Sequence, residues 1–383
     1  MPSKYAELGV DVRKAGIDSF QSLLTNLFPE AFCTISEDPD LPGFGNVLHT
    51  DGAGSKPIIS YIAWKVFDDL SFFRSLAQDV LAMNVDDIIC VGAWPKGFVD
   101  YVALNPYKVP KVELLHELSQ GFRESLSVLQ SFGVPIAFLG GETADLPDQI
   151  ATLDISGTIF GRVKLNEAIT GKEIKTGDLI IGLASDGKAI YEKRWNSGIM
   201  CNGITLARKC LLKPGYGKLY PEIATEGKPY FGRFSLDDPI EGMDMTVLEA
   251  LSSPTRLYAP IVTKILKKAK NWVRGLIHNT GGGQTKCLRL GKGIHYMKEE
   301  LPPINAFFRL IQRESGEEWR DMFQDFNMGI GFEVIVEREG VEEVLKAAED
   351  MGVEASVIGK CLKSQGKNRL TIKSPFGTFH YEA

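Results

Sequence analysis

Residues 112–139 set the fold class. Leu115, Leu118, Phe122, Leu126 and Leu129 recur at spacings of three and four, which places one apolar face on a helix; Gly133 and Pro135 then stop it. A short buried-strand pattern, IAFL at 136–139, follows at once and runs into Gly140, Gly141 and Glu142. A strand that ends in a glycine loop and an acid belongs to α/β architecture, where ligands sit beyond the carboxyl ends of the strands.

The same reasoning predicts the end of a strand at 46–48 and a strand over 150–163, with Gly157 and Gly161 as weak points. A polar segment at 165–177 precedes a new apolar run at 179–184. Helical periodicity over 258–269, 304–315 and 341–351 alternates with strand-like runs at 274–278, 331–336 and 356–359. A chain of 383 residues, at roughly 150 residues per domain, is expected to form two domains. The boundary is placed near residue 170, giving units of 1–170 and 171–383. Residues 213–245, rich in Gly, Pro and charge, are expected to form a long surface excursion or a lid.

The formal net charge of -6, with no long basic run, argues against a nucleic-acid backbone or an anionic membrane as the main partner. A small anion would have to be held through metal ions or a local site. The six cysteines are scattered without a CxxC pair and read as reduced thiols. Residues 1–5 (MPSKY) lack an apolar leader core, and no stretch approaches the roughly 20 apolar residues of a membrane span. A cytoplasmic protein is expected.

Four segments could carry chemistry. In HTDGAGSK, residues 49–56, the order of a Walker A loop is missing. Gly52 and Gly54 would still let backbone N–H groups approach an anion, Ser55 and Lys56 add a hydroxyl and a charge, and Asp51 suits Mg²⁺. A glycine turn with solvated charges is the plainer alternative. In residues 78–88, Asp79 and Asp86 stand seven apart, two helical turns, with Asp87 at the edge of the same face. Carboxylates in so apolar a segment either end in solvent or face a metal.

In residues 139–147, Glu142 could ligate a metal and Gly140, Gly141 and Thr143 could meet a phosphate, unless this is only a strand-to-loop turn. In residues 279–286 (NTGGGQTK), three consecutive glycines suggest close backbone approach to a ligand, or a flexible loop. No residue declares itself catalytic; Lys56, Asp100 and His278 are the candidates, and His278 also fits a structural role.

Taken in order, these segments resemble one family. Asp51-Gly52-Ala53-Gly54-Ser55-Lys56, Asp79 with Asn84-Val85-Asp86-Asp87, Gly140-Gly141-Glu142-Thr143-Ala144, Pro254-Thr255-Arg256, Thr280-Gly281-Gly282-Gly283 and Phe326-Asn327-Met328-Gly329 occur as in phosphoribosylformylglycinamidine cyclo-ligase, or AIR synthetase. Tyr5 and Gly9-Val10-Asp11 match its start. The resemblance implies ATP-dependent closure of formylglycinamidine ribonucleotide to aminoimidazole ribonucleotide, with Mg²⁺ and K⁺ as candidate ions.

It further implies that Asp51, Asp79, Asp87 and Glu142 hold Mg²⁺, with Asp86 added to the candidate metal set from its place among the helix acids, and that Asn202 and Gly203 line the substrate side with Thr280, Gly281, Gly282 and Gly283. The implied architecture is two α/β (α+β) domains, the first dimerising through its sheet into a shared barrel and the second closing the cleft. A homodimer acting on a small-molecule substrate is expected. Met200-Cys201 stand where the family often has histidine and serine before Asn-Gly, Asp86 stands where asparagine is usual, and the interval after Ser185 is long. Thiamine-phosphate kinase and selenophosphate synthetase are related in fold and ATP chemistry, and a nucleotide-binding paralogue with another substrate, or none, is the alternative reading.

Overall fold

The computed structural model describes residues 3–11 and 15–383. Met1 and Pro2, part of the start read for a leader, lie outside the described residues. After a short helix α1 (Lys4–Glu7) come strands β1 (Ser36–Glu37) and β2 (Phe44–Gly52), helices α2 (Lys56–Phe67) and α3 (Arg74–Ile89), β3 (Trp94–Leu104), α4 (Lys111–Ser131), β4 (Ala137–Asp145) and β5 (Leu153–Lys164). The five strands form one open sheet in the order β1-β2-β5-β3-β4.

Two strands run further than expected. β2 does not stop at Leu48, because Asp51 and Gly52 still pair with Gly157 and Ser156 of β5. β4 continues through the Gly140-Gly141 pair to Asp145, paired in parallel with β3. The register shifts between Phe98 and Asp100, so Leu139 and Gly140 together face one residue of β3. Gly140 takes φ +109° there, a conformation glycine tolerates, and this bulge lets the ladder go on where a turn was predicted.

α3 lies across this sheet with 13 of its 16 residues buried, so its acids cannot end in water. Val80, Val85 and Ile88 join the core, each contributing about 1.5–3 kcal/mol by leaving solvent. α4 covers α3 with its amphipathic face, Leu114, Leu118, Phe122 and Leu129 inward. The opposite face of the sheet is uncovered and exposes Leu48, Val99, Tyr101 and Leu139.

The second half holds β6 (Leu179–Ala184), a small hairpin of β7 (Asp186–Gly187) and β8 (Asn196–Ser197), α5 (Ile204–Leu211), α6 (Gly215–Leu219), α7 (Val247–Ser252), α8 (Ala259–Ala269), β9 (Val273–His278), β10 (Ile294–Lys298), α9 (Ala306–Ser315), α10 (Trp319–Asp325), β11 (Ile330–Val336), α11 (Val341–Glu349), β12 (Ala355–Lys363), β13 (Arg369–Ser374) and β14 (Gly377–Glu382). Seven strands make a mixed sheet, β14-β13-β10-β12-β6-β11-β9.

The excursion at 213–245 is tied to the body rather than loose. Phe231 and Phe234 donate backbone N–H groups to the carbonyls of Lys209 and Leu211, and Tyr230, Leu236 and Ile240 are buried. The long interval after Ser185 becomes the β7-β8 hairpin, pinned by buried Arg256, which bonds Glu192 with two nitrogens and the carbonyls of Ala184 and Asp186. Among the described residues no helix is long and apolar enough to cross a membrane.

Candidate active site

The site lies where α3 meets the second half. Lys56 opens α2 and is buried; its Nζ donates to Asp79 Oδ1 at 2.7 Å and to the Ser253 carbonyl. The same Asp79 oxygen accepts the backbone N–H and the hydroxyl of Thr255, both at 2.7 Å. Lys56, read from sequence as a phosphate contact, is therefore bonded across the two halves in this structure. Cys201 sits against the same carboxylate at 3.4 Å; burial and Asp79 push its thiol well above the ordinary range.

Asp86 faces another way. Its two oxygens accept the backbone N–H groups of Tyr258 and Ala259, each at 2.8 Å, and so satisfy the first donors of α8, where the helix dipole favours an acid. Burial nonetheless raises its pKa to about 7. Asp87, one residue on, meets His278 Nδ1 at 2.7 Å and His49 Nε2 at 3.3 Å. Burial opposes its ionisation, but Lys286 and the two histidines prevail and hold it at about 2. Cys33, His49 and Asp87 bring ligand atoms within 4.8 Å of one another, and burial pushes the Cys33 thiol upward.

At the turn, Asp51 Oδ1 accepts the N–H of Gly52 at 2.8 Å, and Asn84 holds the Asp51 carbonyl at 3.0 Å. Gly54 packs on the Cys201 carbonyl, and the Ser55 hydroxyl meets that of Thr205 at 2.9 Å. Across the sheet Asp51, Gly157, Asp100 and Gly141 form one row, and Gly52, Ser156, Tyr101 and Glu142 the next. Glu142 is thus three strand spacings from Gly52, roughly 14 Å, and within one chain it is not brought to Asp51. Glu142 and Thr143 are neighbours on the edge strand, where Glu142 accepts the Thr143 N–H at 2.9 Å. Asp100 packs over Gly141, and burial raises its pKa.

Asn202, Gly203 and the Thr280–Gly283 segment come together. Asn202 donates to the Asn279 carbonyl at 2.8 Å and accepts the Gly281 N–H at 2.9 Å, clamping the Thr280–Gly283 loop to the start of α5. Gly203 takes φ +67°, and a Cβ there would lie 2.0 Å from the Phe326 ring, so glycine is required. His49, Thr255 and Arg256 carry more of the site than the sequence suggests; His49 stands inside the first motif, and nothing local sets it apart from the glycines beside it.

One feature unites these groups. Asp79 Oδ2, Asn84 Oδ1, His49 Nδ1, His278 Nε2, Thr280 Oγ1 and Asn279 Oδ1 are buried side-chain atoms without a hydrogen-bond partner among the described residues. Buried polar atoms are ordinarily satisfied; Asp38, Arg208, Asp325 and Glu333 each hold such an atom too, so it is the grouping of these six along the contact between α3 and the second half, rather than the open atoms alone, that fits a polar, cation-bearing ligand.

Fold and sequence together place the chain among AIR synthase related proteins: the N-terminal domain of that family matches residues 40–163 and its C-terminal domain residues 175–370. The chain belongs to the phosphoribosylformylglycinamidine cyclo-ligase family. It is 36% identical over 327 residues to the enzyme of that name from Methanococcus maripaludis, covering 85% of this chain and 80% of the relative. It is 33% identical over 374 residues to the one from Pyrococcus horikoshii, covering 95% and 96%. In fold it is similar to AaThiL complexed with AMPPCP and TMP, with a TM-score of 0.57, 13% identity and 94% of both chains covered.

Proposed function

We propose that this chain converts formylglycinamidine ribonucleotide and ATP to aminoimidazole ribonucleotide, ADP and phosphate, the ring-closing step of purine biosynthesis. The names of its relatives favour this over a paralogue with another substrate. The observation that carries the reading into the site is the set of open polar atoms on Asp79 and Asn84 on one side and Asn279 and Thr280 on the other.

ATP with Mg²⁺ supplies a phosphoryl group that turns the substrate's formyl oxygen into a leaving group; a substrate nitrogen then bonds to that carbon and phosphate departs. Asp51, Asp79 and Asp87 are the acids we assign to Mg²⁺, with K⁺ a further candidate ion, and the Gly52–Gly54 turn to the phosphates. Asp86 bonds the α8 backbone and positions its neighbour. His278 orients Asp87 and is the nearest candidate for proton transfer. The Thr280–Gly283 loop, clamped by Asn202, takes the ribonucleotide. In this division residues 1–170 bind ATP and metal, and residues 171–383 bind substrate and close the cleft.

The uncovered apolar face at Leu48, Val99, Tyr101 and Leu139 supports a homodimer in which two first-domain sheets share a barrel. Exposed apolar patches of this kind mark association surfaces. Pairing of two such sheets is also the route by which Glu142 would join the metal acids. Six unpaired cysteines fit a cytoplasmic setting. Product formation that depends on both the ribonucleotide and MgATP tests the proposal; a folded protein that binds MgATP and forms no product would overturn it.

A further inference from the structure

Beneath the glycine loop lies an ion pair that none of the motifs contains. Lys298 ends β10 and Glu333 lies within β11, and both are fully buried. Lys298 Nζ donates to Glu333 Oε1 at 2.5 Å, to the Gln284 carbonyl at 2.8 Å and to Gln284 Oε1 at 3.0 Å. The same Glu333 oxygen accepts the Asn279 side-chain amide at 2.7 Å. Glu333 therefore fixes the residue just before Thr280, and Lys298 the residue just after Gly283.

The network extends outward from both ends. Gln284 donates to the Asn327 carbonyl at 2.6 Å; the Asn327 side chain accepts from the Ser185 hydroxyl at 2.9 Å and donates to the Gly198 carbonyl at 2.8 Å. On the other side the Asn279 carbonyl meets Asn202, which holds Gly281.

Two physical facts make this more than packing. A buried ion pair gives little or no stability over apolar residues of similar volume, and every other β11 residue except Gly331 is apolar. The loop itself consists of Gly281, Gly282 and Gly283, all at positive φ, where free glycine would otherwise leave the backbone loose. We propose that Lys298 and Glu333 are positioning residues that hold the Thr280–Gly283 loop in the conformation that binds the ribonucleotide, an inference that rests on the substrate-side reading of that loop. They act through Asn279 and Gln284 and touch no substrate.

The test compares the wild-type protein with K298M/E333M, which replaces the ion pair by apolar side chains, and with E333D, which keeps both charges and draws the carboxylate back from Asn279. Thermal unfolding, KM for each substrate and amide hydrogen exchange of residues 279–285 are measured. The expected result for K298M/E333M is a native-like Tm, a KM for the ribonucleotide raised roughly tenfold or more, an unchanged KM for ATP and faster exchange in the loop. E333D shows the same split at smaller size and decides the matter if the double variant does not fold. A folded variant with native KM values and a protected loop overturns the proposal. Failure of the wild-type protein to turn over would instead sink the functional reading, and the exchange data would still decide whether the pair orders the loop.

Discussion

Asp87 Oδ1 lies 2.7 Å from His278 Nδ1, and this contact joins α3 of the first half to the end of β9 in the second. The carboxylate is held at about 2 by Lys286 and two histidines against its burial, below its ordinary value. A depressed acid of this kind contributes stability that is fully present above about pH 4 and is lost as pH falls toward its folded value. D87N should therefore cost about 2 kcal/mol at pH 7, and the cost should shrink below pH 4. Paired denaturant titrations from pH 7 to pH 3 check it; a difference that stays constant or grows on acidification contradicts the assignment.

Lys56 and Asp79 form a buried ion pair at 2.7 Å that also reaches Ser253 and Thr255 of the second half. K56M leaves the carboxylate buried without its cation, which should destabilise the protein by about 3–5 kcal/mol and loosen the two halves. Calorimetric unfolding should then show a lower Tm and a broader or split transition. A variant as stable as the parent would mean that the pair contributes nothing to joining the halves.

For the metal acids, the expected outcome is loss of Mg²⁺-dependent ATP binding in D51N and in E142Q with the fold retained. Titration calorimetry with MgATP reads the affinity, and circular dichroism reads the fold. Because Glu142 lies about 14 Å from Gly52 within one chain, E142Q should fail only if association brings it to the site. Unchanged affinity in both variants removes the metal assignment.

Asp325, at the end of α10, has its pKa raised to about 8 by burial and by neighbouring Glu317 and Asp321. A raised acid is linked to stability in the opposite sense: the fold favours the protonated form, so stability present below about pH 4 is lost as pH rises to about 8. D325N should accordingly be the more stable protein above pH 8, by on the order of a few kcal/mol, with the advantage vanishing toward pH 4. Tm profiles of the two proteins between pH 4 and pH 9 that run parallel would contradict this.

The chain reveals its alternation of elements and its motif order well, because apolar spacing and glycine placement are local. It reveals less of what its acids do. Asp79, Asp86 and Asp87 share a helix and stand out in sequence, yet one bonds a lysine and a threonine, one a helix N-terminus and one a pair of histidines, and those partners lie far along the chain. Gly140-Gly141 reads as a strand terminator because the bulge that carries β4 onward depends on β3. Lys298 and Glu333 are single charges in apolar runs 35 residues apart, and nothing local marks them as a pair.

The most direct measurement follows aminoimidazole ribonucleotide and ADP together, from formylglycinamidine ribonucleotide with and without MgATP. The account predicts equal amounts of the two products, and neither when the ribonucleotide or MgATP is left out. ADP release without ring closure, or no reaction from a folded protein that binds MgATP, would contradict it.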